Sequence, residues 1–369
     1  MYSRLLGPLA GIAVLGLTGC GAATGTFYDP AAETGAILDQ AMVNLSEAQI
    51  LEYEGTVGEL TGTGDPATLE LTVTDTGTSY GHAESSGYDI EIMIIDGDMY
   101  VLAEEGFWTG HGSSEDHAEE VADSWVQVDT STWVDFSTLL IPDQYVDLVR
   151  QALLDSGNFD VALPAPEDYM GTQAYKLPVG DGAVYVEVEA PYAVLAIVNV
   201  DIGPMTGAST DLMISTVPSD VDAGAIGELQ EAMIAAIETL GTVYGDEASL
   251  SLSESGADFQ CSNSTFTCDF TVDIEPRTTG DFQKAETASV EMNATADGGA
   301  LGTEKCSDSA TIDIGDSKTL ECSVSFDVPA DGVEYTISPS WTVTGVAEFE
   351  PDVDAIIDAV TTELEALLR

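Results

Sequence analysis

Positive charge is what this sequence has least of. Its 369 residues include 8 lysines and arginines against 66 aspartates and glutamates, for a formal charge of −58. Phosphate groups are gripped by Lys and Arg, so this balance excludes nucleic acid as a partner. It also sets the chain against anionic lipid headgroups, which basic segments attract. Histidine is scarce too, at three residues: His82, His111 and His117. No apolar run approaches the roughly 20 residues that a membrane-crossing helix needs. Catalytic signatures are thin, with no His-Glu-x-x-His, no phosphate loop and no Gly-x-Gly-x-x-Gly. Carboxylates are so abundant that no two of them stand out as an acid/base pair.

What is present begins at the N-terminus. A single early cation, Arg4, precedes an apolar run over residues 5–17 (LLGPLAGIAVLGL). The run is too short to span a bilayer and suits the core of an export signal. It closes on Leu17-Thr18-Gly19-Cys20, which matches the lipobox of bacterial lipoproteins: an apolar residue, two small ones, then Cys. The resemblance implies that residues 1–19 are a signal peptide and that Cys20 becomes a lipidated N-terminus. The chain would then sit on the outer face of a bacterial cell membrane, outside the cytoplasm. Its diacylglyceryl (palmitate-type) anchor, not electrostatics, would hold it there.

The acidity has a use of its own, because excess carboxylates keep a protein hydrated in a saline habitat. A calcium-loaded surface is the rival, but no loop shows the D-x-[DN]-x-[DN]-G pattern with its closing Glu. The acidic stretch 308–316 is out of register for it. With 44% hydrophobic residues the chain is not disordered. Beyond Cys20 four cysteines remain: Cys261, Cys268, Cys306 and Cys322. An even number in an exported chain points to two disulfides. Three pairings are possible. The local one, Cys261–Cys268 with Cys306–Cys322, is preferred because both segments read as strand-turn-strand. A zinc site is the other use of four cysteines, but no Cys-x-x-Cys spacing occurs.

Hydrophobic periodicity divides the rest. Residues 20–32 are Gly- and Ala-rich and read as a tether. Ala36, Ile37, Met42 and Leu45 recur at helical spacing. From residue 50 the period becomes two: Leu69, Leu71 and Val73 alternate with polar residues, and residues 88–95 follow after a polar, turn-like stretch at 77–86. Asp96-Gly97 is a hairpin turn leading to a strand at 99–102, then another at 125–128. Helical spacing returns from Phe136 to Leu153, and beyond the Pro-rich hinge at 163–166 strands resume up to residue 216. Residues 221–240 read as a helix, residues 245–350 as short Thr- and Ser-rich strands, and residues 353–368 as an amphipathic helix that must dock on the β-rich part or on a partner.

The lipobox, the first helix, the strands around Asp96-Gly97-Asp98-Met99-Tyr100-Val101, the Trp125-x-x-Val128-Asp129 segment and the following helices resemble the LppX/LprG group of mycobacterial lipoproteins, within the wider LolA/LolB-like class. The resemblance covers about residues 30–216. It implies a half-barrel whose concave side, covered by helices, holds a pocket for acyl chains. The segment 106–123 departs from that pattern, being long and acidic.

The expected fold is therefore α+β: a curved antiparallel half-barrel sheet with helices on one face (33–216), a helical connector (217–244), a β-sandwich-like domain with two disulfides (245–350) and a C-terminal helix (351–369). Candidate pocket liners are the inward positions Leu71, Val73, Ile92, Ile94, Tyr100, Leu139, Tyr145, Leu148, Val186 and Ile197. His111 and His117, six residues apart among carboxylates, are the one arrangement that hints at a metal. Their spacing suits no standard motif, and a solvated acidic loop is the expectation. No catalytic residue, metal or cofactor is expected. The expected function is binding of a lipid or lipoglycan at the cell envelope. The alternative is an adhesion, sensing or assembly module that meets an envelope protein or a glycan through its β-rich part.

Overall fold

A computed structural model describes residues 30–60, 66–130, 133–206, 212–218, 223–279, 282, 284–329 and 334–368. The expected signal peptide, Cys20 and residues 20–29 of the expected tether lie outside the described residues, and α1 takes the rest of that tether. The chain opens with α1 (Pro30–Ser46), followed by β1 (Ile50–Val57), β2 (Ala67–Thr74), β3 (Ser79–Ser85), β4 (Tyr88–Ile95) and β5 (Asp98–Ala103). Two short helices, α2 (Glu105–Gly110) and α3 (Glu115–Val121), lead to β6 (Ser124–Gln127), α4 (Phe136–Leu139) and α5 (Pro142–Asp155). Then come β7 (Glu167–Tyr169), β8 (Thr172–Val179), β9 (Gly182–Glu187), β10 (Val194–Asp201), α6 (Gly203–Thr206) and β11 (Leu212–Pro218). Helix α7 (Ala223–Glu238) and β12 (Val243–Gly245) precede the last strands: β13 (Leu250–Ser262), β14 (Thr267–Thr278), β15 (Thr287–Asp297), β16 (Thr303–Asp313), β17 (Lys318–Ser325) and β18 (Ser338–Phe349). Helix α8 (Val353–Ala366) ends the described chain.

The strands form one large sheet in the order β16-β15-β18-β12-β6-β5-β4-β3-β2-β1-β11-β10-β9-β8-β7, and a three-stranded one, β13-β14-β17. Pairing is antiparallel except between β12 and β6. The expected boundary at residue 244 falls within β12. That strand pairs with β6 on one side and β18 on the other, so the large sheet continues across it.

Strand β3 replaces the turn expected at 77–86. Its inward residues, Ser79, Gly81, Ala83 and Ser85, are buried but small, so their alternation carries no hydrophobic signal. Gly81 is needed there: a Cβ would sit 2.1 Å from the Glu70 carbonyl oxygen of the neighbouring strand.

Because side chains alternate across a strand, the sheet has two faces, and both are covered. On one lie α1 and α5, whose stripes of Leu38, Ala41, Met42 and Leu45, and of Tyr145, Val149, Ala152 and Leu153, are buried against Leu51, Leu71, Val73, Ile92 and Ile94. Two buried hydrogen bonds tie helices to sheet from inside. Tyr53 Oη donates to the Leu140 carbonyl at 2.6 Å, and Thr216 Oγ1 donates to Tyr145 Oη at 2.6 Å. The opposite face buries Ile50, Met93, Ile95, Tyr100 and Trp125 under α7 and α8. Helices on a single face were expected, and this is a correction. The reason is the sequence of β4 and β5, which carries apolar residues at both parities (Ile92-Met93-Ile94-Ile95) and so needs two covers.

Helix α8 does not stand free: its main packing partner is α7. Val360 and Leu364 pack with α7 on the outer face of the first sheet region. Its Glu363 carboxylate accepts hydrogen bonds from Thr74 (3.3 Å), Thr78 (2.9 Å) and Thr76 on the β2–β3 hairpin. A third core lies between β13-β14-β17 and the end of the large sheet, built on Phe270, Val272, Ile274, Val290, Met292 and Leu320. Disulfides join Cys261 to Cys268 and Cys306 to Cys322. The first links directly opposed residues of β13 and β14. The second is not within a hairpin, because β16 pairs with β15 and β17 with β14, so it staples the edge of one sheet to the edge of the other.

Candidate functional site

Among the described residues, two places are taken as candidates for a functional site. The first is the apolar layer under α1 and α5. Leu71, Val73, Ile92, Ile94, Tyr145, Val186 and Ile197 are buried in one cluster there, and Leu139 and Leu148 pack against it half-buried. Tyr100 does not join them. The two-residue turn at Asp96-Gly97 sets Tyr100 opposite Met93, and both face α7 and α8 on the other side of the sheet. Its phenol is pushed well above the ordinary tyrosine value, first by burial and then by Asp98 and Asp96. Tyr53 and Tyr145 meet edge-on at 4.9 Å in the middle of the layer, and burial raises both phenols as well. Among the described residues the side chains of this layer pack against one another and are shut off from solvent.

The second place is a cleft of about 550 Å³ between α3, the residues just after β12, and strands β13, β15, β16 and β18. It is bordered by Ser114, Asp116, His117, Glu120, Glu247, Leu250, Leu252, Ser289, Glu291, Ser309 and residues 343–346. None of the ten expected liners borders it. The elements around it are held by short polar ties. Ser114 caps α3, its hydroxyl accepting from the His117 backbone N–H at 3.4 Å, while Glu247 accepts from the Ser114 N–H at 2.9 Å. Asp246, buried behind, accepts from the Asp129 N–H at 3.0 Å and from the Ser249 hydroxyl. Its carboxyl is raised above the usual range, mainly by burial.

The segment around His111 and His117 is thus two helices, not the solvated loop expected of so acidic a stretch. His117 is 4% exposed, and neither ring nitrogen has a hydrogen-bond partner. Burial lowers its pKa from the ordinary imidazole value, against the opposing pull of Glu247 and Asp246. The burial follows from the pattern of α3, where His117, Ala118 and Val121 form the inward side. His111 is engaged elsewhere, through its Nδ1 with the Phe107 carbonyl (2.8 Å) and through its Nε2 with Ser85 Oγ (3.4 Å). His82 is exposed on the sheet's outer face beside Tyr80. Burial and a hydrogen bond to Glu91 lift the Tyr80 phenol to about 12. Among the described residues no group of three His, Cys, Asp or Glu is placed to hold a metal ion.

One motif escaped the sequence reading. Gly77-Thr78-Ser79-Tyr80-Gly81 has the Gly-x-Ser-x-Gly spacing of a nucleophile elbow. The elbow needs a strand-to-helix turn with an exposed hydroxyl. Here Ser79 opens an antiparallel strand, is fully buried, and donates its hydroxyl to the Gly77 carbonyl at 2.9 Å. No base faces it in that hydrogen bond, so the match is one of spelling.

No family model matches the sequence, and no curated protein matches it. Among solved structures the chain is similar to the crystal structure of LprF from Mycobacterium bovis, at 14% identity and a TM-score of 0.29, over 52% of this chain and 95% of that one. The likeness is distant, and no step of the functional reading rests on it.

Proposed function

We propose that the chain is an extracytoplasmic binding protein, anchored through a lipid on Cys20, that holds a hydrophobic ligand without transforming it. The observation that carries the reading is the apolar layer: nearly all the inward positions expected from the sequence converge on one buried cluster roofed by α1 and α5. In this reading the sheet from β1 to β11 is a half-barrel, and β13–β18 form a sandwich that follows it. Acyl chains entering beneath the helices would be held by burial, at roughly 25 cal/mol per Å² removed from water. Entry requires α1 and α5 to part from the sheet, because the layer's side chains pack against one another and the Tyr53 and Tyr145 hydrogen bonds close it. Few charges oppose that movement. The Arg150–Asp39 pair between the two helices is half-exposed and contributes little.

The close packing of the layer favours a second reading, in which the first sheet is a spacer and the β-rich part meets a protein or glycan of the envelope. Native mass spectrometry with lipid extraction, on the chain produced without residues 1–20, separates the two. Stoichiometric acyl adducts are expected. A clean mass, together with no uptake of a fluorescent fatty acid, would overturn lipid binding in favour of the second reading.

A further inference from the structure

The cleft beside α3 has chemistry of its own, independent of whether the apolar layer takes lipid. Asp116, Glu120, Glu247 and Glu291 border it. The ion pairs among the described residues, Arg150–Asp39, Arg277–Glu275 and Lys284–Asp98, involve none of these four. In so acidic a chain a group of carboxylates alone means little. The imidazole among them is different. His117 is buried and borders the cleft, with both ring nitrogens unpartnered by any residue. A buried polar ring left without a partner costs free energy that a ligand can relieve.

The lining selects the ligand by exclusion. Four carboxylates repel phosphate or carboxylate groups. A metal ion needs three or more donors converging on a point, and among the described residues none do. The lining includes no aromatic ring on which a sugar could stack. What fits is a positive charge on an aliphatic stem. The charge is balanced by separated carboxylates, and the stem lies along Leu250, Leu252, Val343 and Val346. An ammonium has three hydrogens to donate, and a neutral imidazole has one nitrogen to accept.

We propose that this cleft binds an alkylammonium group, the four carboxylates balancing its charge and the His117 ring, whose nitrogens are shut off from the cleft in the unliganded fold, turning to accept one of its hydrogen bonds. The group belongs either to a free diamine or polyamine, or to a lysine side chain of a peptide.

The test follows imidazole resonances of the full chain, labelled at histidine and purified in a non-ionic detergent. With three histidines in the sequence, His117→Gln identifies the signal that matters. The titration is run in about 0.5 M NaCl, where screening weakens general attraction to an acidic surface. Cadaverine is expected to move the His117 resonance to a saturable limit and leave those of His82 and His111 in place. Glu120→Gln with Glu291→Gln should weaken that binding about tenfold, whereas Asp181→Asn with Glu189→Gln, exposed on other loops, should not change it. A tri-lysine peptide saturating at lower concentration than cadaverine would assign the group to a peptide, and the reverse to a free amine. The proposal is overturned if all three resonances drift together without saturation, which is charge screening. It is equally overturned if His117 does not respond, meaning the cleft holds only water, or if Ca²⁺ or Zn²⁺ saturates the His117 shift and the amine does not.

Discussion

At the scale of residues, His117 and Asp246 are two neighbouring groups whose surroundings oppose their ordinary charge. Burial disfavours the imidazolium of one and the carboxylate of the other. For His117 the consequence for stability has a definite sign. The unfolded chain takes up its proton near the usual imidazole value of about 6.5, while the buried ring resists until lower pH. Acidification through that window therefore favours the unfolded chain, and the loss is complete once pH falls below the lowered folded value. Glu247 and Asp246 face the ring and reduce the effect without reversing it. His117→Gln is expected to lose less stability than the parent between pH 7.5 and 5.5, as read by urea midpoints. Equal losses in both proteins would mean the ring titrates as it does in water. This residue was singled out from the sequence with His111, six residues away, for the four carboxylates around it, Glu115, Asp116, Glu119 and Glu120. Its burial was not legible, because α3 has just seven residues and one polar member of its inward side disguises the stripe.

At the scale of elements, α8 shows how a legible stripe can leave its destination open. Its apolar spacing over residues 353–368 is plain in the sequence, and the structure adds its start at Asp352, whose side chain accepts from the Ala355 N–H at 3.1 Å. Where it docks depends on which other face lacks a cover. That face is the outer side of β4–β6, already half roofed by α7, whose end is tied down by Trp125 Nε1 donating to Thr239 Oγ1 at 3.0 Å. Leu364 is fully buried at this contact. Leu364→Ala should cost about 2–4 kcal/mol, seen as a lower urea midpoint with little change of slope. No change in midpoint would show that α8 contributes nothing to the fold. Strand β3 is the reverse case. Its inward Ser, Gly and Ala residues fit a crowded part of the sheet and leave no hydrophobic alternation to read. Tyr100 is a third case, since parity along β5 admits either face until the pairing with Met93 settles it.

At the scale of the whole molecule, the charge dominates. With −58 at neutral pH, self-repulsion acts across the entire surface and weakens with salt, as the screening length falls from about 10 Å at 0.1 M to about 3 Å at 1 M. Thermal unfolding in KCl is expected to shift upward on the order of 5–10 °C between 0.1 and 2 M. A flat or falling midpoint would remove the saline-habitat explanation of the acidity. The sequence by itself determined those properties that add up residue by residue: net charge, the lipobox-like spelling Leu17-Thr18-Gly19-Cys20, an even set of later cysteines, and the periods of most helices and strands. Tertiary structure alone decided which face each apolar row covers, that α7 and α8 roof the far side of the sheet, that Cys306–Cys322 joins two sheets, and that a buried histidine meets acidic residues in one cleft. The physical reason is that period is a local property of the chain. Partnership depends on contacts between residues far apart in sequence, where several apolar surfaces compete for the same cover and total burial selects among them.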